Sequence, residues 1–273
     1  MKRFSKKDEE EAKLFFNNNG FVIIEDVFNE EFLNDFKLEA ENIIKAHVIK
    51  GEVDCDIDSI NIFDSTMESL EQKNHDLIAS IYDTLFQCPS FLRIVSNKDL
   101  THFSRLLLGN MDAPLYGYTN RCRIDPPRDE RRTYGWHQEV FYTVPKGHYI
   151  QTWAPLIRNT TMQNGTIEVA VGSHKEEIAN QTWNEENGRA TQILIDKNII
   201  NKYEQKAVEM KLGELLLFSG YLAHRSGINT SKEHRYSLVG MYHDVSTKEF
   251  LTPSIDFQYR GMTPKEFYDH KFS

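Results

Sequence analysis

The feature that most constrains this 273-residue chain is a change of character near Asp112. Beyond it, short runs rich in β-branched and aromatic residues alternate with turn residues. These runs fall at 115–124, 140–144, 149–156, 165–171, 190–195, 207–212, 214–218 and 236–242. Short strands so closely spaced predict a sandwich or jelly-roll barrel.

The chain before Asp112 reads differently. A charged helix is expected over 6–18, stopped by Asn17-Asn18-Asn19-Gly20. Residues 21–24 form a short apolar strand. Asn29 suits a helix N-cap, with Phe28 and Leu33 placed as a hydrophobic staple. Phe32, Phe36, Ala40 and Ile43 then recur at helical spacing to about Val48. An Asp-rich loop is expected over 51–65, then helix over 67–108, interrupted at Pro89. The fold class is therefore mainly β, a double-stranded β-helix (jelly-roll, cupin-like) barrel with the N-terminal helices packed outside. No Pro/Gly/Ser linker divides the chain, so 1–273 reads as one domain. Its parts are a helical 1–111, a jelly-roll core over 112–245 and a C-terminal extension over 246–273.

Composition removes several function classes. Lys plus Arg number 32 and Asp plus Glu 41, a net charge of −9. That balance argues against a nucleic-acid partner, which would ask for a basic face. No apolar run approaches the ~18 residues of a membrane helix, so no membrane partner is expected. The charged N-terminus is not followed by the apolar stretch of a secretory signal. Three widely spaced cysteines, Cys55, Cys88 and Cys122, argue against a disulfide framework or a thiolate zinc site. A reducing, cytoplasmic setting and a small-molecule partner are the expectation.

Histidines are the place to look for chemistry. The pattern His-x-Asp/Glu carries no weight alone. With ten histidines and 41 acids in 273 residues, chance gives about 1.5 matches, and two are present. His174-Lys-Glu176 follows Gly172-Ser173 and reads as a solvated turn. His137-Gln-Glu139 lies between Trp136 and the apolar Val140-Phe141. On a strand, residues two apart share a face. A glutamate pointing into an apolar barrel is costly unless paired or metal-bound. His224, after the apolar run 214–218, supplies a third ligand. Two histidines and a carboxylate make the facial triad of non-haem Fe(II), with open positions for substrate and oxygen, and zinc also accepts them. Residues 227–233 read as a hairpin turn placing Arg235 across from Ser226. An inward arginine beside a metal histidine suits a bidentate pair with a co-substrate carboxylate, and the Ser226 hydroxyl suits the same group.

With these residues in view, the chain resembles the phytanoyl-CoA dioxygenase family of Fe(II)/2-oxoglutarate oxygenases. The resemblance runs over most of the chain. It rests on Gly20-Phe-Val-Ile-Ile-Glu-Asp-Val-Phe28, Trp136-His-Gln-Glu139, Thr152-Trp-Ala-Pro-Leu156 and Asn164-Gly165. It rests equally on Val171-Gly-Ser-His-Lys175, Gly213-Glu-Leu-Leu-Leu-Phe218, His224-Arg-Ser226 and Arg235. It implies that His137, Glu139 and His224 bind iron, and that Arg235 and Ser226 hold the far carboxylate of 2-oxoglutarate. Trp153 would pack in the co-substrate pocket, and Arg123 matches a basic position near the site. His174 matches a turn histidine, structural or near the substrate mouth. Glu139 stands where the family usually has Asp, and Val171 where it has Pro. An acid at 139 argues against a halogenase, in which Gly or Ala stands there.

The implied reaction consumes O2 and 2-oxoglutarate, releases succinate and CO2, and hydroxylates or otherwise oxidises a small metabolite. Tyr134, Phe141, Tyr142, Tyr149 and Trp183 are the expected substrate-lining residues. Two other readings use the same barrel. One is a cupin-like isomerase or hydrolase with zinc, which has no need of Arg235. The other is a non-catalytic binding barrel, favoured only by Glu139 in place of Asp.

Overall fold

The computed structural model describes residues 1–56, 61–129, 133–141, 149–176, 181–184, 192–248 and 250. The helical part begins with α1 (Glu9–Asn19), three residues later than expected, and ends at Gly20 in the left-handed region (φ 84°). Strand β1 is Phe21–Ile24. Helix α2 (Glu30–Lys50) starts at Asn29, whose side chain accepts a hydrogen bond from the Phe32 amide at 2.9 Å. The 67–108 stretch is four helices rather than two: α3 (Ser65–Lys73), α4 (His75–Leu85), α5 (Pro89–Val95) and α6 (Lys98–Leu108). The additional breaks fall at Asn74 and Asn97, whose side chains cap α4 and α6. Asn competes for backbone donors, which makes it a cap rather than an interior helical residue.

The β part follows with β2 (Leu115–Asp125), β3 (Tyr149–Pro155), β4 (Ile167–Ala170), β5 (Gln181–Asn184) and β6 (Gln192–Ile195). A short helix α7 (Lys197–Ile200) precedes β7 (Gln205–Ala207), β8 (Leu215–Ser219), β9 (His224–Ser226) and β10 (Arg235–Asp244). Five strands form an antiparallel sheet in the order β1-β8-β3-β10-β2. Three more, β7-β4-β9, form a second antiparallel sheet, and β5 pairs with β6. Three expectations need correction. The run 207–212 is strand only at its first residue, because β7 ends at Ala207. The run 140–144 does not begin as a strand, because Glu139–Phe141 is a 3₁₀ turn; 142–144 lie outside the described residues. β9 and β10 are not a hairpin, because they belong to different sheets.

Strand alternation explains the layering. One side of the large sheet offers Val22, Ile24, Ile150, Ala154, Leu215, Leu217, Tyr236 and Leu238 to a core shared with the helices. The other side offers Phe21, Ile23, Trp153, Leu216 and Phe218 to a second core, closed by Ile167 and Val169 of the small sheet. The helices thus cover the outside of the barrel, and its interior lies between the sheets. Among the described residues, no helix is long and apolar enough to cross a membrane.

Candidate metal and co-substrate site

His137 and His224 sit opposite each other in an antiparallel bridge, each backbone amide donating to the other's carbonyl at 3.0 Å. Directly paired residues put their side chains on one face, and the two imidazole centroids are 4.2 Å apart. Glu139 reaches the same point by another route. Its amide donates to the Gly220 carbonyl at 3.2 Å as the 3₁₀ turn begins. The chain has left the strand by then, so the expected two-residue strand repeat is not what aims Glu139.

One Glu139 oxygen, Oε2, stands 3.6 Å from His137 Nε2 and 3.8 Å from His224 Nε2. Ligand atoms of all three residues fall within 4.8 Å of one another. Each imidazole is oriented by a carbonyl two residues back. His137 Nδ1 lies 2.7 Å from the Gly135 oxygen, and His224 Nδ1 lies 2.9 Å from the Leu222 oxygen. An Nδ1–H donating there leaves Nε2 as a lone pair toward the cluster. Burial pushes the Glu139 carboxyl up, but the His137 hydrogen bond and both imidazoles more than offset it, bringing it to about 2. Burial, with help from His137, lowers His224 to about 3. A carboxylate and two imidazole nitrogens converging in a buried place are a donor set for a divalent transition metal. They fit the Fe(II) implied by the motif.

Beside the cluster lies a cavity of about 680 Å³ between the sheets. Its walls include Trp153, Phe218, Ser226, Arg235, Arg123 and Tyr134. Arg235 is 2% exposed. Its Nη2 donates to Asp125 Oδ2 at 2.6 Å, while Nε and Nη1 have no hydrogen-bond partner. Its Cζ lies 6.0 Å from the centre of the Trp153 ring. Buried guanidinium protons without a partner are costly, and an anion in the cavity would satisfy them. That is the fit expected of a 2-oxoglutarate carboxylate. Ser226 lines the same cavity from the small sheet, so the crossover between sheets, not a hairpin, brings it near Arg235.

That crossover is held by Asn229, which donates to the Asp125 and Glu233 carbonyls at 3.1 and 2.7 Å. Gly165 sits against it at φ 77°, where a Cβ would meet the Gly227 oxygen at 2.6 Å. Both a left-handed φ and a backbone approach require glycine there.

The sequence reading missed Asp125. Arg123 Nε donates to both Asp125 oxygens at 2.9 Å, so one carboxylate spans two guanidiniums. A signal was present, since Arg121, Arg123 and Asp125 occupy alternate positions of β2. Burial raises Asp125, but Arg123 and Arg235 bring it to about 2. Of the other expected residues, Tyr134 lines the cavity and its ring lies 5.4 Å from that of His137. Tyr149 is instead stacked 4.7 Å from His243. Tyr142 and the side chains of Phe141 and Trp183 lie outside the described residues. His174 Nε2 meets the Asn17 carbonyl at 3.2 Å, which makes it a tie between the turn and α1.

A family model described as Phytanoyl-CoA dioxygenase (PhyH) matches residues 16–237. Among solved structures, the chain is similar to the epimerase SnoN in complex with Fe3+, alpha ketoglutarate and nogalamycin RO. Identity is 14%, the match covers 88% of this chain and 84% of that one, and the TM-score is 0.62. It is also similar to EctD from S. alaskensis with 2-oxoglutarate and 5-hydroxyectoine, at 20% identity, 86% and 76% coverage and a TM-score of 0.59. The carbocyclase SnoK from nogalamycin biosynthesis follows at 16% identity, 90% and 88% coverage and a TM-score of 0.58. At these identities the likeness is one of fold.

Proposed function

The chain belongs to the phytanoyl-CoA dioxygenase family, whose members are non-haem iron, 2-oxoglutarate-dependent oxygenases, and from that premise we propose that it oxidises a small-molecule metabolite, most simply by hydroxylation, with release of succinate and CO2. Membership does not make phytanoyl-CoA the substrate. His137, Glu139 and His224 are the iron ligands. Arg235 and Ser226 receive the far carboxylate of 2-oxoglutarate, Trp153 forms the wall beside it, and Arg123 shares Asp125 with Arg235. The observation that carries this reading is the meeting of two features in one cavity: a buried His-Glu-His cluster and a buried arginine with unpartnered N–H groups.

Iron with 2-oxoglutarate and O2 supplies the oxidising power when bound. The chain supplies geometry. The Gly135 and Leu222 carbonyls fix both imidazoles, and the Gln138 amide fixes the turn between them by donating to the Tyr221 carbonyl at 2.6 Å. Arg235, held by Asp125 and lying beside Trp153, orients the dicarboxylate from its far end. Phe218, 4.9 Å from the His224 ring, keeps that side of the cluster apolar and dry. A zinc isomerase or hydrolase with the same triad gives Arg235 no task. The described helices and barrel strands share a core, which supports reading the chain as one catalytic unit. We place it in the reducing cytoplasm, where Cys55, Cys88 and Cys122 would stay thiols.

The test is anaerobic. Fe(II) and then 2-oxoglutarate are added to metal-free protein, and the visible charge-transfer band of the iron–2-oxo acid chelate is followed. The wild type should give the band, and Arg235→Ala should need far more 2-oxoglutarate. Iron bound without a band would overturn the proposal.

A further inference from the structure

The inference concerns the second arginine and the acid between the two, and it rests on the co-substrate reading above. Arg235 and Asp125 are register partners on neighbouring strands, and Arg123 is two residues before Asp125 on the same strand. All three side chains turn into the barrel. Asp125 takes Arg235 Nη2 at 2.6 Å, Arg123 Nε at 2.9 Å and Arg123 Nη2 at 2.8 Å. Asp125 is 6% exposed. Within this trio two guanidiniums share one carboxylate, and the partnerless Nε and Nη1 of Arg235 mark where a further carboxylate arrives.

Asp125 acts on an incoming dicarboxylate in two opposed ways. It steadies the guanidinium that receives it, which favours binding. It also places a negative charge within one guanidinium's width of the site, which disfavours binding. A guanidinium keeps a good part of its hydrogen bond, and so of its orientation, when the acceptor becomes a neutral amide. Repulsion between two carboxylates in a low-dielectric cavity disappears altogether on neutralisation. Repulsion is therefore the larger differential effect. We propose that Asp125 is a resident counter-ion that moderates the hold of Arg235 on dicarboxylates. It keeps two buried guanidiniums compensated before the co-substrate arrives, and it weakens the grip on succinate so that the product leaves.

The sign of one measurement separates this from the alternatives. Wild type and Asp125→Asn are each loaded anaerobically with Fe(II) and titrated with 2-oxoglutarate by the chelate band, and succinate is then used to compete the band away. Thermal unfolding is recorded without and with millimolar succinate. The counter-ion role predicts that Asp125→Asn binds 2-oxoglutarate and succinate more tightly, by about five- to ten-fold. It also predicts a lower melting temperature without ligand, restored by succinate to a greater extent than in wild type. A variant that folds only with succinate present is the same result at its limit. Weaker binding would make Asp125 a simple positioning residue. Unchanged binding with lower stability would make it purely structural. Either result overturns the proposal, as does a variant that no dicarboxylate rescues. Absence of the band in the wild type would instead remove the co-substrate reading on which it rests.

Discussion

Arg235 and Tyr236 are neighbours in β10, both 2% exposed or less, and they belong to different worlds. Tyr236 turns out toward the helices and packs edge-on against Phe63 at 5.5 Å. Its hydroxyl donates to the Phe63 carbonyl at 3.0 Å. Arg235 turns in and keeps two of its nitrogens without partners. The same contrast runs through the sheet. Leu215, Leu217 and Leu238 build the outer core. Glu139, Arg123, Asp125 and Gln151 are gathered on the inside. The outer face is mostly apolar and packed, with the buried Thr152 hydroxyl a partnerless exception, so its side chains hold the fold. The inner face keeps buried polar groups without partners, Arg235 foremost, so these side chains cost stability and, on the function proposed above, carry the chemistry. Proteins accept such incomplete polar groups mainly at functional sites.

The sharpest way to break this contrast is to truncate one residue on each face. Glu139→Ala should abolish iron retention, with more than ~100-fold loss of succinate formation, since changes merely behind a ligand already cost 10–100-fold. The melting temperature should move by only a few degrees. Metal analysis and succinate release check it, and full activity with a vacated ligand position would sink the inner-face assignment.

Leu238→Ala is the outer counterpart. Leu238 is fully buried under the helices, and truncation there should cost about 2–5 kcal/mol. That corresponds to a fall in melting temperature on the order of 10 °C for a chain of this size. The 2-oxoglutarate half-saturation of the folded fraction should stay within two-fold, roughly the limit for distant, independent sites. A larger change would mean that the two faces are coupled through β10.

What could be read from the sequence follows the same division. Strands with one apolar face announce themselves by alternation, and 214–218 and 236–242 were legible within a residue or two. His137, Glu139 and His224 were legible because a polar triad amid apolar residues has few structural uses. The rest depends on non-local partners. Nothing in 227–233 says that β9 and β10 enter different sheets, because a turn sequence fixes the turn and not the strand beyond it. The 3₁₀ turn at Glu139 is imposed by the Gly220 carbonyl, 81 residues away by number. Asp125 was passed over because a lone acid at a strand end looks like a turn residue until its partners, Arg123 and Arg235, are in place.

A smaller effect is expected where the faces meet. Asp64, just before α3, receives Arg158 through both oxygens at 2.9 Å and the His234 amide at 2.7 Å. Burial raises its carboxyl, but His234 and Arg158 hold it below the ordinary carboxylate value. A depressed folded-state pKa contributes stability that is present above the unfolded value and lost as pH falls through the folded one. Arg158→Met should therefore destabilise by about 1–2 kcal/mol near neutral pH and flatten the acid limb of the stability profile. Urea unfolding at several pH values measures this, and an acid limb as steep as that of the wild type would remove Asp64 from the account.

The smallest change returns to the β10 pair. Tyr236→Phe keeps the ring against Phe63 and deletes only the hydroxyl that donates to the Phe63 carbonyl. Deleting one partner of a buried neutral hydrogen bond costs about 1 kcal/mol, because the carbonyl left behind is not resolvated. In melting temperature that is about 2–4 °C. Arg235, one residue away and facing the cavity, should keep its 2-oxoglutarate half-saturation unchanged. A measurable shift in that half-saturation would show that β10 relays small outer-face changes to the site. An unchanged value, beside the large effect expected of Arg235→Ala, would show that a single peptide unit separates the fold-holding side of this sheet from its chemical side.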